Sequence, residues 1–209
     1  MSFNKLHQNR KNFLEENKNK DHVVILGKNN ILISAPHGVS QVRLGKYKFS
    51  EIGALATALA LHEKTKSNLI AKTKNNNDDA NFDDVSAYKS SIEKLIKENK
   101  IKYVIDFHGL SAKRDCDINL GTHLGNNIKT NEKIFDDLLN SLTENNFITK
   151  IDQPFMAGNK TISGSIANKF PNVWTLQIEI NYGITNKAEQ FKKLENLLNI
   201  LTSWINSLK

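Results

Sequence analysis

Short apolar runs alternate along this chain with longer segments in which apolar residues recur at helical spacing. The runs are rich in Ile, Val and Leu, which is typical of strands in a buried sheet, and they lie at residues 31–33, 68–72, 101–108 and 173–181. The longer segments predict amphipathic helices at residues 51–64, 83–99, 131–145 and 187–208. This alternation predicts one α/β domain over residues 1–209, with residues 1–20 forming either a short helix or a loosely packed segment.

Local patterns add three finer predictions. Residues 23–26 and 31–33 flank the turn-forming sequence Gly-Lys-Asn-Asn, which predicts a β-hairpin. Ser50 precedes a helical pattern and is a candidate N-cap. Alternating polar and apolar residues predict a strand from Arg114 to Leu120.

Two of the apolar runs lead to the same dipeptide, His-Gly. One leads to His37 and the other, through Asp106, to His108. Ligands of open α/β sheets bind beyond the carboxyl ends of the strands, so both histidines are expected at a functional edge. Asp106 shares a strand face with His108. It is expected to hydrogen-bond the His108 imidazole and so fix its tautomer. A core histidine is the alternative for His108 alone, but two such dipeptides favour a metal or an anionic transition state.

A carboxylate completes a possible metal site. Glu51 lies in the first turn of the helix that follows His37. Two imidazoles and one carboxylate, from His37, His108 and Glu51, match the three protein ligands of a catalytic zinc site with one position left open. Compensation of the helix dipole is the alternative role for Glu51. Because these residues are far apart in sequence, their spacing leaves the set a hypothesis.

The last apolar run contains a carboxylate that needs an explanation. Trp174, Leu176, Ile178 and Ile180 share one face of the predicted strand, and Gln177, Glu179 and Asn181 share the other. Burial of Glu179 is costly unless that face lines a polar site, where it is a candidate general base. A solvated edge strand is the alternative.

Composition and charge narrow the possible partners. The formal charge is +7, but the lysines are scattered and no stacking aromatic pattern accompanies them, which disfavours nucleic-acid binding. Arg114 and Arg43 are two of only three arginines, which suggests that they bind a carboxylate or an oxyanion. The single cysteine excludes an internal disulfide and a cysteine-based zinc site. No apolar run reaches the ~20 residues of a membrane span, and the polar N-terminus lacks a signal-peptide pattern, so a cytoplasmic protein is expected.

Five segments together resemble the N-formylglutamate amidohydrolase family. They are Ser34-Ala35-Pro36-His37-Gly38, Glu51-Ile52-Gly53-Ala54, Asp106-Phe107-His108-Gly109, Asp117-Ile118-Asn119-Leu120-Gly121-Thr122 and Gln177-Ile178-Glu179-Ile180-Asn181. The chain is more distantly similar to zinc carboxypeptidases and phage poly-γ-glutamate hydrolases. The resemblance covers roughly residues 30–185, and its most specific pieces are Asp-x-His-Gly and Gln-Ile-Glu-Ile-Asn.

The resemblance implies a phosphorylase/hydrolase-like fold, here expected as a three-layer α/β sandwich with a mixed central sheet. It also implies hydrolysis of a C–N amide bond with one zinc ion at His37, Glu51 and His108 and with Glu179 as the catalytic carboxylate. Arg114 is expected to assist catalysis, and the expected substrate contacts are Arg43, Asn81, Asp117, Gln177 and Asn181. The expected substrate is a small acidic N-acyl amino acid or a γ-glutamyl compound. The alternatives are a carboxypeptidase-like metallopeptidase and a catalytically silent binding module.

Overall fold

A computed structural model describes residues 2–208 of the chain. The strands are β1 (His22–Ile25), β2 (Ile31–Ala35), β3 (Gln41–Arg43), β4 (Lys46–Lys48), β5 (Asn68–Lys72), β6 (Tyr103–Leu110), β7 (Ile118–Gly121), β8 (Thr149–Ile151) and β9 (Trp174–Asn181). The helices are α1 (Phe3–Asn17), α2 (Ile52–Thr65), α3 (Ala87–Asn99), α4 (Glu132–Glu144), α5 (Ile162–Lys169), α6 (Tyr182–Thr185) and α7 (Phe191–Ser207), with a 3-10 turn at Ala188–Gln190. None of the helices in this described range is long and apolar enough to cross a bilayer.

Seven strands form one mixed sheet in the order β1-β5-β2-β6-β9-β7-β8, and β3 pairs with β4 in a separate hairpin. The four central strands, β5, β2, β6 and β9, run parallel. The strand β1 is antiparallel to β5 at one edge, and β7 is antiparallel to β9 near the other. The predicted mixed central sheet is therefore confirmed.

Helices cover both faces of the sheet and give the predicted three layers. Side chains from α1, α2, α4 and α7 form one core with Ile31, Ile33, Ile105 and Phe107 of the sheet. Helices α3 and α5 form a second, smaller core on the other face with Leu32 and Val104. Because side chains alternate along a strand, Ser34, Asp106, His108, Gln177 and Glu179 all belong to the face of the smaller core.

The predicted hairpin before residue 34 is wrong. Strand β5 lies between β1 and β2, so the two strands never pair. The turn sequence instead wraps around the start of β5, where Lys28 N donates to Lys66 O over 2.7 Å and Gly27 N donates to the Asn68 side chain. Glycine is required at position 27 because a Cβ there would lie 2.3 Å from Lys66 O.

Two element boundaries also differ from the sequence predictions. Glu51, not Ser50, occupies the N-cap position of α2, and its side chain makes no capping bond because its carboxylate reaches Gly109 and two histidines. The strand predicted from Arg114 begins only at Ile118. Arg114 N instead closes a turn by donating to Ser111 O over 3.0 Å.

Candidate metal centre and active site

A cavity of about 870 Å³ opens beyond the carboxyl ends of β2 and β6. Its wall includes all three predicted metal ligands and the predicted base, namely His37, Glu51, His108 and Glu179. The cavity therefore lies where ligands bind in open α/β sheets.

The side chains of His37, Glu51 and His108 converge on one point of the cavity wall. The two Nδ1 atoms are 3.1 Å apart. One oxygen of Glu51 lies 2.8 Å from the Nδ1 of His37, and the other lies 3.2 Å from the Nδ1 of His108. Each residue thus offers one ligand atom to a common point, and these atoms lie within 4.8 Å of one another.

Gly109 allows Glu51 to reach this point. A Cβ at position 109 would lie 3.2 Å from Cβ and Cγ of Glu51, and the Gly109 amide donates to Glu51 Oε2 over 2.9 Å. Gly109 does not mark a turn of the backbone, because β6 continues through it to Leu110. Its actual role is to permit the close approach of the carboxylate.

A carboxylate stands behind each imidazole. Nε2 of His37 lies 2.9 Å from Asp79 Oδ1, and Nε2 of His108 lies 3.0 Å from Asp106 Oδ2. A carboxylate accepts hydrogen bonds only, so each Nε2 carries a proton and donates it. In the neutral rings Nδ1 then keeps a lone pair, and both lone pairs face Glu51.

Charge around the two rings is strongly negative. Burial lowers the pKa of His37, but the charge of Glu51 and the hydrogen bond to Asp79 outweigh it and raise the pKa to about 9. The pKa of His108 is likewise raised, because the charges of Asp106 and Glu51 outweigh burial. The pKa of Glu51 is held well below its usual range despite burial, mainly by the charge of His37. The environment therefore favours a cation at the point where the three side chains meet.

The donor set fits a divalent metal ion. Two imidazole nitrogens and one carboxylate oxygen are ligands that zinc accepts, and carboxylates behind metal-bound histidines are a common feature of zinc sites. Without a metal ion, the raised pKa values favour protonated rings that donate to Glu51, and a metal ion bound at this point would take the place of those protons. His37, Glu51 and His108 are therefore suited to hold a metal, whereas their role as its ligands remains a prediction.

A second buried carboxylate lies on the same cavity wall. Burial raises the pKa of Glu179 to about 8, against the opposing charge of His108. Its Oε1 accepts a hydrogen bond from Nε2 of Gln177 over 2.9 Å, while Oε1 of Gln177 has no hydrogen-bond partner in the described part of the chain. Both side chains line the cavity, which leaves the Gln177 carbonyl available to a ligand.

The other predicted contact residues on the cavity wall differ in whether their side chains already have hydrogen-bond or ion-pair partners. Nε of Arg43 donates to Asp79 Oδ2 over 2.7 Å, and its guanidinium lies 4.9 Å from the Phe82 ring centroid. Asn81 Oδ1 accepts from Ile162 N at the start of α5, so its carbonyl is already used. Arg114 is exposed, and among residues 2–208 its side chain makes no hydrogen bond or ion pair.

Asp117 and Asn181, which were predicted as substrate contacts, do not line this cavity. Asp117 accepts from Ile148 N and pairs with Lys193, because its loop runs along the edge near β8. Asn181 ends β9 and turns away from Gln177: its Oδ1 accepts from Gly183 N, and its Nδ2 donates to Cys116 O. Both residues fix the local backbone.

Sequence reasoning missed Asp79 as the partner of His37. Its loop, residues 75–81, is polar enough to be mistaken for a linker, yet Asp79 is completely buried. Lys48 and Lys160 were missed as well, although both line the cavity.

No protein-family model matches the sequence, and no curated protein sequence matches it. Solved structures do match the fold. A gene product of Agrobacterium tumefaciens aligns over 96% of this chain and 99% of its own with a TM-score of 0.67 and 14% identity. N-formylglutamate amidohydrolase from Ralstonia eutropha JMP134 aligns over 90% and 96% with a TM-score of 0.57 and 12% identity.

A metallo-carboxypeptidase from Burkholderia cenocepacia also aligns, over 97% of this chain and 69% of its own, with a TM-score of 0.56 and 10% identity. The structural neighbours thus include an N-formylglutamate amidohydrolase and a carboxypeptidase, as the sequence motifs had suggested. At these identities the comparisons establish a shared fold.

Proposed function

We propose that this protein is a zinc-dependent amidohydrolase that cleaves a C–N amide bond of an acidic N-acyl amino acid or γ-glutamyl compound. One observation carries the proposal: Nδ1 of His37 and Nδ1 of His108 converge on the Glu51 carboxylate, beside a cavity that also holds Glu179. Structural neighbours described as an N-formylglutamate amidohydrolase and a bacteriophage poly-γ-glutamate hydrolase support it.

In this proposal His37, Glu51 and His108 hold one zinc ion. Zinc supplies Lewis acidity, which polarises a substrate carbonyl and acidifies water. Asp79 and Asp106 keep the two imidazoles oriented with Nδ1 toward the metal.

Glu179 moves the proton. In its ionised form, which a nearby metal cation favours, it accepts a proton from the water that attacks the carbonyl carbon and passes that proton to the departing nitrogen as the C–N bond breaks. The hydrogen bond from Gln177 fixes the orientation of its carboxylate. Arg114, whose guanidinium is free, binds a substrate carboxylate or the oxyanion that develops during attack.

Charge on the cavity wall supports an acidic substrate. Arg43, Lys48, Arg114 and Lys160 line the cavity, whereas the acidic residues on its wall are Glu51 and Glu179, which have other roles in the proposal. Because cations in a concave site attract anions, an acidic compound is favoured over a neutral one.

A carboxypeptidase-like metallopeptidase is the second candidate, supported by the shared fold with a metallo-carboxypeptidase. A catalytically silent module on the same fold is the third. Metal analysis of the purified protein separates the last from the other two, because a silent module has no need to retain zinc. Assays with N-acylglutamates, γ-glutamyl peptides and ordinary peptides then separate the first two.

The direct test of mechanism is Glu179→Gln, which keeps the shape of the side chain and removes the base. We expect the variant to fold and bind zinc normally and to lose about 10²–10⁴-fold in kcat, the usual contribution of acid–base catalysis. Glu144→Gln, at an exposed position of α4, is the matched control. Loss of zinc from the Glu179 variant would make Glu179 a ligand, and near-normal kcat would refute the proposed mechanism.

A further inference from the structure

Gln41 is a buried amide without a partner. It begins β3, is only 6% exposed and lines the cavity. Among residues 2–208, its Oε1 accepts no hydrogen bond and its amide nitrogen donates none. Buried polar side chains nearly always have hydrogen-bond partners, so a cavity ligand is the natural partner for this one.

A cation lies next to this amide. Lys48 is directly opposite Gln41 in the β3–β4 hairpin, and residues directly opposite each other share a face. Lys48 also lines the cavity, and its ammonium group forms no ion pair with the described part of the chain. The hairpin therefore presents an amide and a positive charge side by side.

The hairpin is fixed to the loop that supports His37. Val42 N donates to Asp78 O over 3.0 Å, and the neighbouring Arg43 holds Asp79, the partner of His37. Gln41 and Lys48 are thus held in a set position relative to the candidate metal centre, as a specificity subsite requires.

We infer that Gln41 and Lys48 form a subsite for a second, uncleaved amide of the substrate that is flanked by a carboxylate. Oε1 of Gln41 accepts from the amide N–H, its nitrogen donates to the amide carbonyl, and Lys48 pairs with the carboxylate. This inference rests on the proposed function and narrows it to peptide-like substrates with at least two amides. A substrate with one amide can occupy the catalytic part of the cavity but leaves Gln41 unpaired, which costs affinity.

Binding to the full-length metal-free protein tests the subsite without any chemistry. The probes are N-acetylglutamate, with one amide, and N-acetylglycylglutamate, with two, measured by calorimetry. We expect the natural protein to bind the two-amide probe about tenfold more tightly than the one-amide probe, which is the usual scale for a buried hydrogen bond. In Gln41→Leu, the affinities for the two probes should differ by no more than about twofold. Gln8→Leu, at an exposed position of α1, is the control and should keep the tenfold preference.

A second variant keeps the inference testable if Gln41→Leu does not fold. Lys48→Met changes an exposed residue and should weaken N-acetylglycylglutamate severalfold while leaving the neutral N-acetylglycylglycine amide unchanged. Equal affinities for the one-amide and two-amide probes in the natural protein, or a preference that survives Gln41→Leu, would overturn the inference. A binding preference without hydrolysis of either probe by the zinc-loaded protein would instead refute the proposed function.

Discussion

The two imidazoles of the candidate metal centre are supported in different ways. The carboxylate behind His37 comes from a loop: Asp79 is held by Arg43 and also accepts from the backbone amides of Asn81 and Phe82. The carboxylate behind His108 comes from the same strand, two residues earlier. Asp106 accepts a hydrogen bond from the Ser34 hydroxyl over 2.7 Å, and no lysine or arginine within residues 2–208 forms an ion pair with it.

This difference sets how much negative charge each imidazole receives. Arg43 compensates part of the charge of Asp79, whereas a hydroxyl orients Asp106 without neutralising it. A more negative carboxylate makes the imidazole in front of it a more basic ligand. We therefore expect His108 to be the stronger of the two metal ligands. His37 is the one whose supporting carboxylate, Asp79, also pairs with a cavity-lining residue, Arg43.

The largest effects should come from removing a ligand. His108→Ala is expected to abolish stable zinc retention, because only two protein ligands remain, one fewer than a catalytic zinc site uses. Elemental analysis after dialysis measures this directly. His123→Ala removes a histidine that does not line the cavity and is the control. Full zinc occupancy in His108→Ala would contradict the assignment of the metal centre.

Replacing the supporting carboxylate behind each histidine compares the His108 and His37 sides of the metal centre directly. Changes of this kind typically cost about 10–100-fold in metal affinity. We expect Asp106→Asn near the upper end of that range and Asp79→Asn near the lower end, because Arg43 already neutralises part of the charge of Asp79. Chelator competition gives both affinities. Equal losses, or a larger loss for Asp79→Asn, would show that Arg43 does not weaken the His37 side.

Arg43→Met also tests whether Arg43 neutralises part of the charge of Asp79, but here the expected change is a gain in zinc affinity. Asp79 keeps its backbone amide donors but gains its full charge, so zinc affinity should rise by up to about threefold, a typical effect for one partly screened charge. Affinity for an acidic substrate should fall at the same time, because Arg43 also lines the cavity. Lys46→Met, in the same hairpin and exposed, is the control. Weaker zinc binding in Arg43→Met would mean that Arg43 positions Asp79 more than it neutralises it.

The sequence predicted the supporting carboxylate of His108 better than that of His37. Asp106 and His108 are two residues apart on one strand, so strand periodicity alone places them on one face. The order of apolar runs correctly indicates that His37 follows the end of β2, whereas His108 lies within β6, two residues before that strand ends. These predictions needed only local pattern and the general geometry of parallel sheets.

The supporting carboxylate of His37 depends on partners distant in sequence. Asp79 lies in a polar loop and becomes buried because His37 and Arg43, about forty residues earlier, surround it. No local pattern contains that information. Asn181 shows the reverse error: alternation assigned it to the face of Glu179, but the strand ends there and its side chain caps the next turn.

The smallest effect should come from the hydroxyl that holds Asp106. Ser34 Oγ donates to Asp106 Oδ1, and the Tyr88 hydroxyl lies 3.1 Å from Ser34. In Ser34→Ala the carboxylate keeps its contact with His108 but loses the donor that fixes its other oxygen. Zinc affinity should fall by about two- to fivefold, within the ~1 kcal/mol of one hydrogen bond.

Ser163→Ala is the matched control for this variant, because Ser163 is also completely buried but its hydroxyl has no hydrogen-bond partner among the described residues. Both variants remove a hydroxyl oxygen from a buried position on the same side of the sheet, Ser34 in β2 and Ser163 in α5, and only Ser34→Ala removes a bond to Asp106. Chelator competition should therefore distinguish them, with the control unchanged in zinc affinity. If Ser34→Ala binds zinc as tightly as Ser163→Ala, the strand geometry alone orients Asp106. The difference between the His108 and His37 sides would then lie in Arg43 rather than in the hydroxyl.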